Sequence, residues 1–291
     1  MRTYFDCIPC AIRQVLDSVR MITDDETVHE QVVRAVLGLW EDIDMRLSPP
    51  AIAQQVHRIV RKITGVSDPY REVKDRYNRL ALEMYPELKE KVAASPDPVE
   101  TAIRLAIAGN IIDFGVNATV DEGMVAETIS RSLTDPLDLE AVRDFKEAIG
   151  QAQDILYLAD NAGEIVFDRL LIEQMPVENV TLAVRGAPIL NDVLLADAEA
   201  VGLTDLVVVI DNGADAPGTI LELCSEPFRE RFEQADLIIS KGQGNFETLN
   251  DCDKDIFFLL RPKCAVLARY LNRELGCQIV VRRGGELFAS R

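Results

Sequence analysis

From residue 155 onward the chain carries short, unbroken apolar runs separated by stretches of helical spacing, and this alternation constrains the fold most. The runs are Ile155–Ala159, Val180–Val184, Leu206–Ile210, Leu237–Ser240 and Gln278–Val281, with Ile256–Leu260 ambiguous between strand and helix. Between them, Glu164–Gln174, Asp192–Ala200, Pro227–Glu233 and Cys264–Arg273 read as helices. A strand that is apolar at every position is buried on both faces, and parallel neighbours need a crossover helix between them. The pattern predicts an α/β fold: a three-layer, Rossmann-like α/β/α domain with a mainly parallel sheet over residues 151–291. Sheets of this kind bind ligands at the carboxyl ends of their strands, which says where chemistry is to be sought.

The first 150 residues read differently, as an all-α N-terminal domain. Asp6 precedes a helical pattern through Cys10, Ile12, Val15, Leu16 and Val19, and a second pattern after Asp24 carries Val28, Val32, Val36 and Leu39. A third helix, Ala51 to Ile63, follows the Pro49-Pro50 break, and Asp68-Pro69-Tyr70 opens a fourth. Asp97-Pro98 has the form of an N-cap with proline at the first helical position, leading a helix to Gly109.

Charge and composition narrow the function classes. The chain of 291 residues has 31 basic and 49 acidic side chains, a net charge of −18. Such a surface is a poor partner for nucleic acid or acidic membranes, whose phosphates need basic clusters. A small anionic substrate needs only a local cation. No apolar run reaches the roughly 18–20 residues of a membrane span, and Met1 to Arg20 has no signal-peptide pattern, so a cytoplasmic protein is expected. The six cysteines are then expected to be reduced. The two histidines, His29 and His57, lie in the N-terminal third, so no histidine base is available in the α/β domain.

At the expected strand ends, hard oxygen donors recur. The first strand runs into Asp160-Asn161-Ala162-Gly163-Glu164, where a carboxylate stands beside a carboxamide and a new helix offers free N–H groups. That pairing suits Mg²⁺, Mn²⁺ or a similar cation, although a plain turn with a helix cap explains it equally well. The second strand ends in Arg185-Gly186-Ala187-Pro188, with Asn191-Asp192 beyond, and Asp192 competes between ligand and N-cap. Asp160, Asn161 and Asp192 together can supply three metal ligands and leave positions open. The fourth strand ends in Lys241-Gly242-Gln243-Gly244-Asn245, a glycine-bracketed loop of the kind that cradles phosphate, without the ending of a P-loop. Lys241 is expected to project at the sheet edge as a phosphate contact, and Lys263 is a second candidate cation; a solvated surface lysine is the competing reading of each. Cys7-Ile8-Pro9-Cys10 places two thiols three apart at a helix start. Packing or a minor metal role is favoured for them, on the helical domain and away from the strand ends.

With these residues assembled, the chain resembles the damage-control phosphatases, a family first catalogued as a domain of unknown function, and most of all its short archaeal-type members. The resemblance rests on five blocks in order: the N-terminal CxxC, Gly109-Asn110-Ile111-Ile112-Asp113, Asp160 to Glu164, Arg185 to Asp192, and Lys241 to Asn245. It implies a helical domain on an α/β/α domain and hydrolysis of small phosphorylated metabolites by a divalent metal (Mg, Mn, Co or Ni). The family's metal ligands would fall on Asp160, Asn161 and Asp192. Substrate contacts would fall on Asn110, Asp113, Lys241, Gly242, Asn245 and Lys263, with Glu164 in the same motif. Water activated by the metal is the first choice of attacking group and an aspartate carboxylate the second; Asp113 or Glu164 would move the proton. Two other classes compete: an S-adenosylmethionine-dependent carboxyl methyltransferase, and a non-catalytic metabolite- or metal-binding module. The methyltransferase lacks its usual glycine-rich loop here, since Gly163 alone follows the first strand.

Overall fold

A computed structural model describes residues 1–109 and 122–283, with backbone alone for 122–126. Seven helices come first: α1 (Cys7–Ile22), α2 (Glu26–Asp42), α3 (Pro49–Thr64), α4 (Arg71–Ala93), α5 (Pro98–Gly109), α6 (Glu122–Thr134) and α7 (Leu139–Gln151). Then follow β1 (Ile155–Leu158), α8 (Glu164–Ile172), β2 (Val180–Val184), α9 (Leu195–Ala200), β3 (Val208–Asp211), α10 (Glu226–Gln234), β4 (Leu237–Lys241), α11 (Gly242–Leu249), β5 (Ile256–Leu260), α12 (Ala265–Leu271) and β6 (Ile279–Arg282).

Local chemistry sets the helix starts. Asp25 and Asp138 accept N–H bonds from the first turns of α2 and α7, and Asp97 accepts from Glu100 N–H in α5. The Pro49-Pro50 pair that reads as a break opens α3, where the missing N–H groups have no intrahelical partner to lose. The third strand begins at Val208, two residues later than its apolar run suggests, because Leu206 and Val207 donate back to Leu203 O in a turn.

The sheet order is β3-β2-β1-β4-β5-β6, parallel except for the antiparallel β6. This is the expected α/β architecture, and the ambiguous run Ile256–Leu260 is its fifth strand. The order reverses between β1 and β4, so the crevice at their carboxyl ends is the switch point of a doubly wound sheet. The parallel strands other than β3 are buried along both faces, while β3 at the edge is half-exposed.

Two apolar layers sandwich the sheet. On one face Tyr157, Leu182, Ile239 and Phe257 pack against α4, α5, α7 and α8. On the other, Leu156, Ile238 and Phe258 meet Phe228 and Phe232 of α10, Phe246 of α11 and Leu267 of α12. Residue 150 marks where strands begin, but the first of these cores runs across it, since α4, α5 and α7 belong to the sheet's own layer. A third core, built from Val15, Val19, Val32, Val36, Ile52, Val56 and Val60, lies within α1–α3 alone. These three helices are tied to the strand ends through Asp215, which follows β3 and accepts from Gln54, Arg58 and Arg61 of α3. No helix among the described residues is long and apolar enough to cross a membrane.

Candidate functional site

Two strand-to-helix connections meet at the switch point. Beyond β1 the chain turns through Asp160 and Asn161 to Gly163, which has φ 77° and precedes α8 without a side-chain cap. Asp160 and Asn161 are therefore not spent on capping. Beyond β2 the chain loops back, passing Leu190 at φ 46°, a left-handed conformation that costs a non-glycine residue about 1–2 kcal/mol. Val193 N–H donates to Asp160 O at 3.0 Å and Ala162 N–H to Asn191 O at 2.9 Å, closing a short antiparallel bridge between Asn161 and Asp192. This bridge brings together residues some thirty positions apart. Helix α9 starts at Leu195, so the N-cap reading of Asp192 does not hold. Its Oδ2 instead accepts from Arg185 Nε at 2.7 Å.

The carboxyls here are buried against one another. Burial pushes Asp160 up to about 7, with the charges of Glu164 and Asp192 adding to it and those of Arg185 and Lys263 opposing. Asp192 is raised by burial too, against the Arg185 guanidinium. Arg185 is itself buried, with Nη2 at 3.7 Å from Asp160 Oδ1, and so stands between the two aspartates. Asn245 fixes the arginine from behind: its Oδ1 accepts from Arg185 Nη1 at 3.2 Å and Thr219 Oγ1 at 2.9 Å. Its Nδ2 donates to Ala159 O and Lys241 O. Asn245, expected as a substrate contact, is fully buried in this position.

Lys241 departs from its expected orientation at the sheet edge. The side chain is wholly buried and turns under α5 and α8, where Nζ donates to Glu164 Oε1 at 2.7 Å, to Ala106 O at 2.8 Å and to Asp168 Oδ1. The reason is charge: two buried carboxylates need a cation, and β4 delivers one beside them. Tyr157 Oη also donates to Asp168, whose carboxyl burial raises to about 6 against the pull of Lys241. Glu164 passes the order on. Its Oε2 accepts from Asn161 Nδ2 at 2.9 Å, and the same amide donates to Asp160 Oδ2 at 2.8 Å. With its N–H₂ engaged by two carboxylates, Asn161 has its carbonyl oxygen left to offer. Gly242, at φ 78°, closes the group: a methyl there would lie 1.8 Å from Asp160 Oδ2.

Asp160, Asn161 and Asp192 line a cavity of about 1090 Å³ between the strand ends and α1–α3. Lys263, exposed, lines it as well, with Arg13 of α1 and with Gln243 and Gly244 of α11. Asn110 and Asp113 lie outside the described residues. Cys7 and Cys10 line this cavity too, together with Cys264. The expectation that these thiols sit away from the strand ends is thus corrected: α1 folds back over the sheet, which its own sequence does not reveal. Glu247 of α11 faces the same cavity, and burial raises its carboxyl to about 7.

No three His, Cys, Asp or Glu side chains are grouped to hold a metal ion among the described residues. The donor set in question is two carboxylates and a carboxamide, and its chemistry fits a hard cation. Arg185 and Lys241 pair with Asp160, Glu164, Asp168 and Asp192, and the charges of Lys263 and Lys74 reach Asp160 and Asp192. Two carboxylates, Asp160 and Asp192, would hold a divalent ion there, and Asn161 already presents an oxygen.

These buried acids set an expected pH response. Asp160, Asp168 and Glu247 titrate at about 7, 6 and 7 in the folded chain, above ordinary carboxyl values because of burial. Each binds its proton more tightly folded than unfolded. The stability this gives is full below the unfolded pKa of about 4 and lost as pH rises through the folded pKa. Acids held low, such as Asp97 and Asp215, act in the opposite sense below about pH 4, and buried His57, lowered to about 4, offsets one of the three acids within the window. In chelator, the melting temperature is expected to fall between about pH 4.5 and pH 7. A melting temperature that climbs steadily across that window would contradict these buried acids.

Arg185, Asp168, Tyr157 and Glu247 were not singled out from the sequence. Nothing local marks them, since each acquires its place through partners distant in the chain; only Arg185, inside a recognised block, carried a signal. Comparison with known proteins gives a consistent picture. Residues 3–279 match the model of the damage-control phosphatase ARMT1-like domain. A protein named damage-control phosphatase from Archaeoglobus fulgidus is 36% identical over 276 residues, covering 93% of this chain and 95% of the relative. Another of that name, from Pyrococcus horikoshii, is 33% identical over 287 residues, covering 97% and 98%. A crystal structure of a duf89 family protein from Pyrococcus horikoshii superimposes with a TM-score of 0.88 at 32% identity, covering 97% of this chain and 99% of that one.

Proposed function

The chain belongs to the damage-control phosphatase ARMT1-like domain family, and on that premise we propose that it hydrolyses small phosphorylated metabolites, sugar phosphates or damaged phosphometabolites, with a divalent metal held by Asp160, Asn161 and Asp192. The observation that carries this reading is the convergence of those three oxygen donors on one cavity at the sheet's switch point. Mg²⁺ and Mn²⁺ suit the donor set best, with Co²⁺ and Ni²⁺ also admissible. When bound, the cation supplies positive charge to a phosphoryl oxygen as the transition state develops.

The chain's own residues do the rest. Lys263 and Arg13, both lining the cavity, are the cations for the remaining phosphoryl oxygens. Asn110 and Asp113 are retained as substrate contacts. Asn245 acts through Arg185, and Lys241 through Glu164, to hold the ligand set rather than to touch the phosphate. Glu247, raised to about 7 by burial at the cavity wall, is the proposed donor of a proton to the leaving oxygen. Helices α1–α3 supply one wall of the cavity. All six cysteines are free thiols, which fits a reducing, cytoplasmic compartment, and the net charge of −18 speaks against a nucleic-acid substrate.

The test is phosphate release from a panel of sugar phosphates and nucleotides after exhaustive metal removal, checked by elemental analysis. Activity is expected to be abolished and then restored by Mg²⁺ or Mn²⁺. Full activity in metal-free protein would remove the metal from the mechanism. Methyl transfer from S-adenosylmethionine without phosphate release would favour the carboxyl methyltransferase.

A further inference from the structure

The two connections that supply the ligand set are braced by a side chain of α4, a helix far from both in sequence. Asn78 of α4 is 2% exposed, and both ends of its amide are engaged. Its Oδ1 accepts from Gly163 N–H at 2.7 Å, two residues beyond Asn161. Its Nδ2 donates to Asp197 Oδ1 at 3.0 Å, in the first turn of the helix that follows Asp192. Asp197 is fully buried and holds its own segment, with Oδ2 accepting from Leu194 N–H at 2.9 Å. Arg71, two helical turns earlier on α4, reaches Asp197 Oδ1 at 2.7 Å, and Lys74 lies 4.0 Å from Oδ2. Helix α4 also presses on the turn sterically: a methyl at Gly163 would stand 2.9 Å from Tyr77 Cβ.

The geometry points to Asn78 as a positioning residue that sets the separation between the Asp160-Asn161 turn and the Asp192 segment, and so tunes metal affinity. It rests on the metal-binding reading given above. An amide is required because one end must accept and the other donate; a carboxylate keeps the bond to Gly163 but cannot donate to Asp197, and it brings a second charge against that buried acid. Exchanging the two residues restores a donor facing an acceptor at position 78 and keeps the net charge, but it gives up the contact that Arg71 makes to Asp197 Oδ1.

The experiment is calorimetric titration of metal-free protein with Mn²⁺, alongside melting temperatures in chelator, for wild type, Asn78→Asp, Asn78→Ala and the Asn78→Asp/Asp197→Asn exchange. Each single variant is expected to bind Mn²⁺ at least about tenfold more weakly, as follows from one lost buried hydrogen bond. The exchange is expected to recover part of that loss. In turnover, the single variants should need more Mn²⁺ for half-maximal rate, with kcat at saturating metal affected less. If a folded Asn78→Ala binds Mn²⁺ as wild type does, with only its melting temperature lowered, the residue is merely structural and the proposal fails. If wild type itself takes up no Mn²⁺, the metal-binding reading falls first and this proposal with it.

Discussion

Asp160→Asn is expected to lower phosphate release by about a thousandfold, or about 4 kcal/mol of barrier, and to raise the melting temperature of the metal-free protein above pH 7. The two effects have one cause. Asp160 is a nearly buried carboxyl whose ionisation is opposed by burial and by the charges of Glu164 and Asp192. Ionised and without metal, it stores unfavourable energy that an isosteric amide removes. On the proposed metal-binding reading, the same charge would hold the cation. Asparagine keeps an oxygen for the Asn161 amide, so the turn is retained. Added Mn²⁺ should raise the wild-type melting temperature at pH 8 and leave the variant's unchanged. A variant that turns over within tenfold of wild type, or melts well below it in chelator, would show that Asp160 is not a metal ligand held at a cost in stability.

Lys241→Met should be the most destabilising of the single changes considered, by about 3–5 kcal/mol at pH 8, the range for removing one partner of a buried ion pair. Glu164 and Asp168 would be left facing each other without their shared cation. Protonation can relieve that, so the deficit relative to wild type should shrink as pH falls toward 5. Chemical denaturation at pH 8 and pH 5.5 measures the difference. The orientation expected from sequence, with the lysine on the phosphate, gives the opposite pattern: activity lost and stability kept. Near-wild-type stability at pH 8 would return Lys241 to that role.

What the sequence disclosed depends on how local its causes are. The parallel sheet was legible because burial on both faces writes itself into every position of runs such as Leu237–Ser240. That Asp160, Asn161 and Asp192 gather at the strand ends was legible because each follows an apolar strand in a connection with few polar side chains. The direction of Lys241 was not, since a lysine after a strand reads the same whether it meets water or Glu164 and Asp168. Whether Asp192 caps a helix was undecidable from its neighbours, because the answer lies in Arg185 and in a helix that starts three residues later. The place of Cys7 and Cys10 over the strand ends depends on how α1–α3 fold back, and no residue within α1 carries that information. The described residues before 151 form helices, yet α4, α5 and α7 pack on the sheet, a relation that periodicity within each helix cannot express.

The edge strand β3 has a bearing on how this protein keeps apart from its own copies. It is four residues long, and Val208 on it is 65% exposed. An open strand edge invites the edge of another molecule, and the invitation grows with length and flatness. Here the length is small, and Asp205 and Asp211 stand exposed at either end. A second copy approaching edge to edge would bring four like charges together within a short ladder, on chains that each carry a net charge of −18. Resistance to aggregation is thereby built into the rim of the sheet farthest from β6.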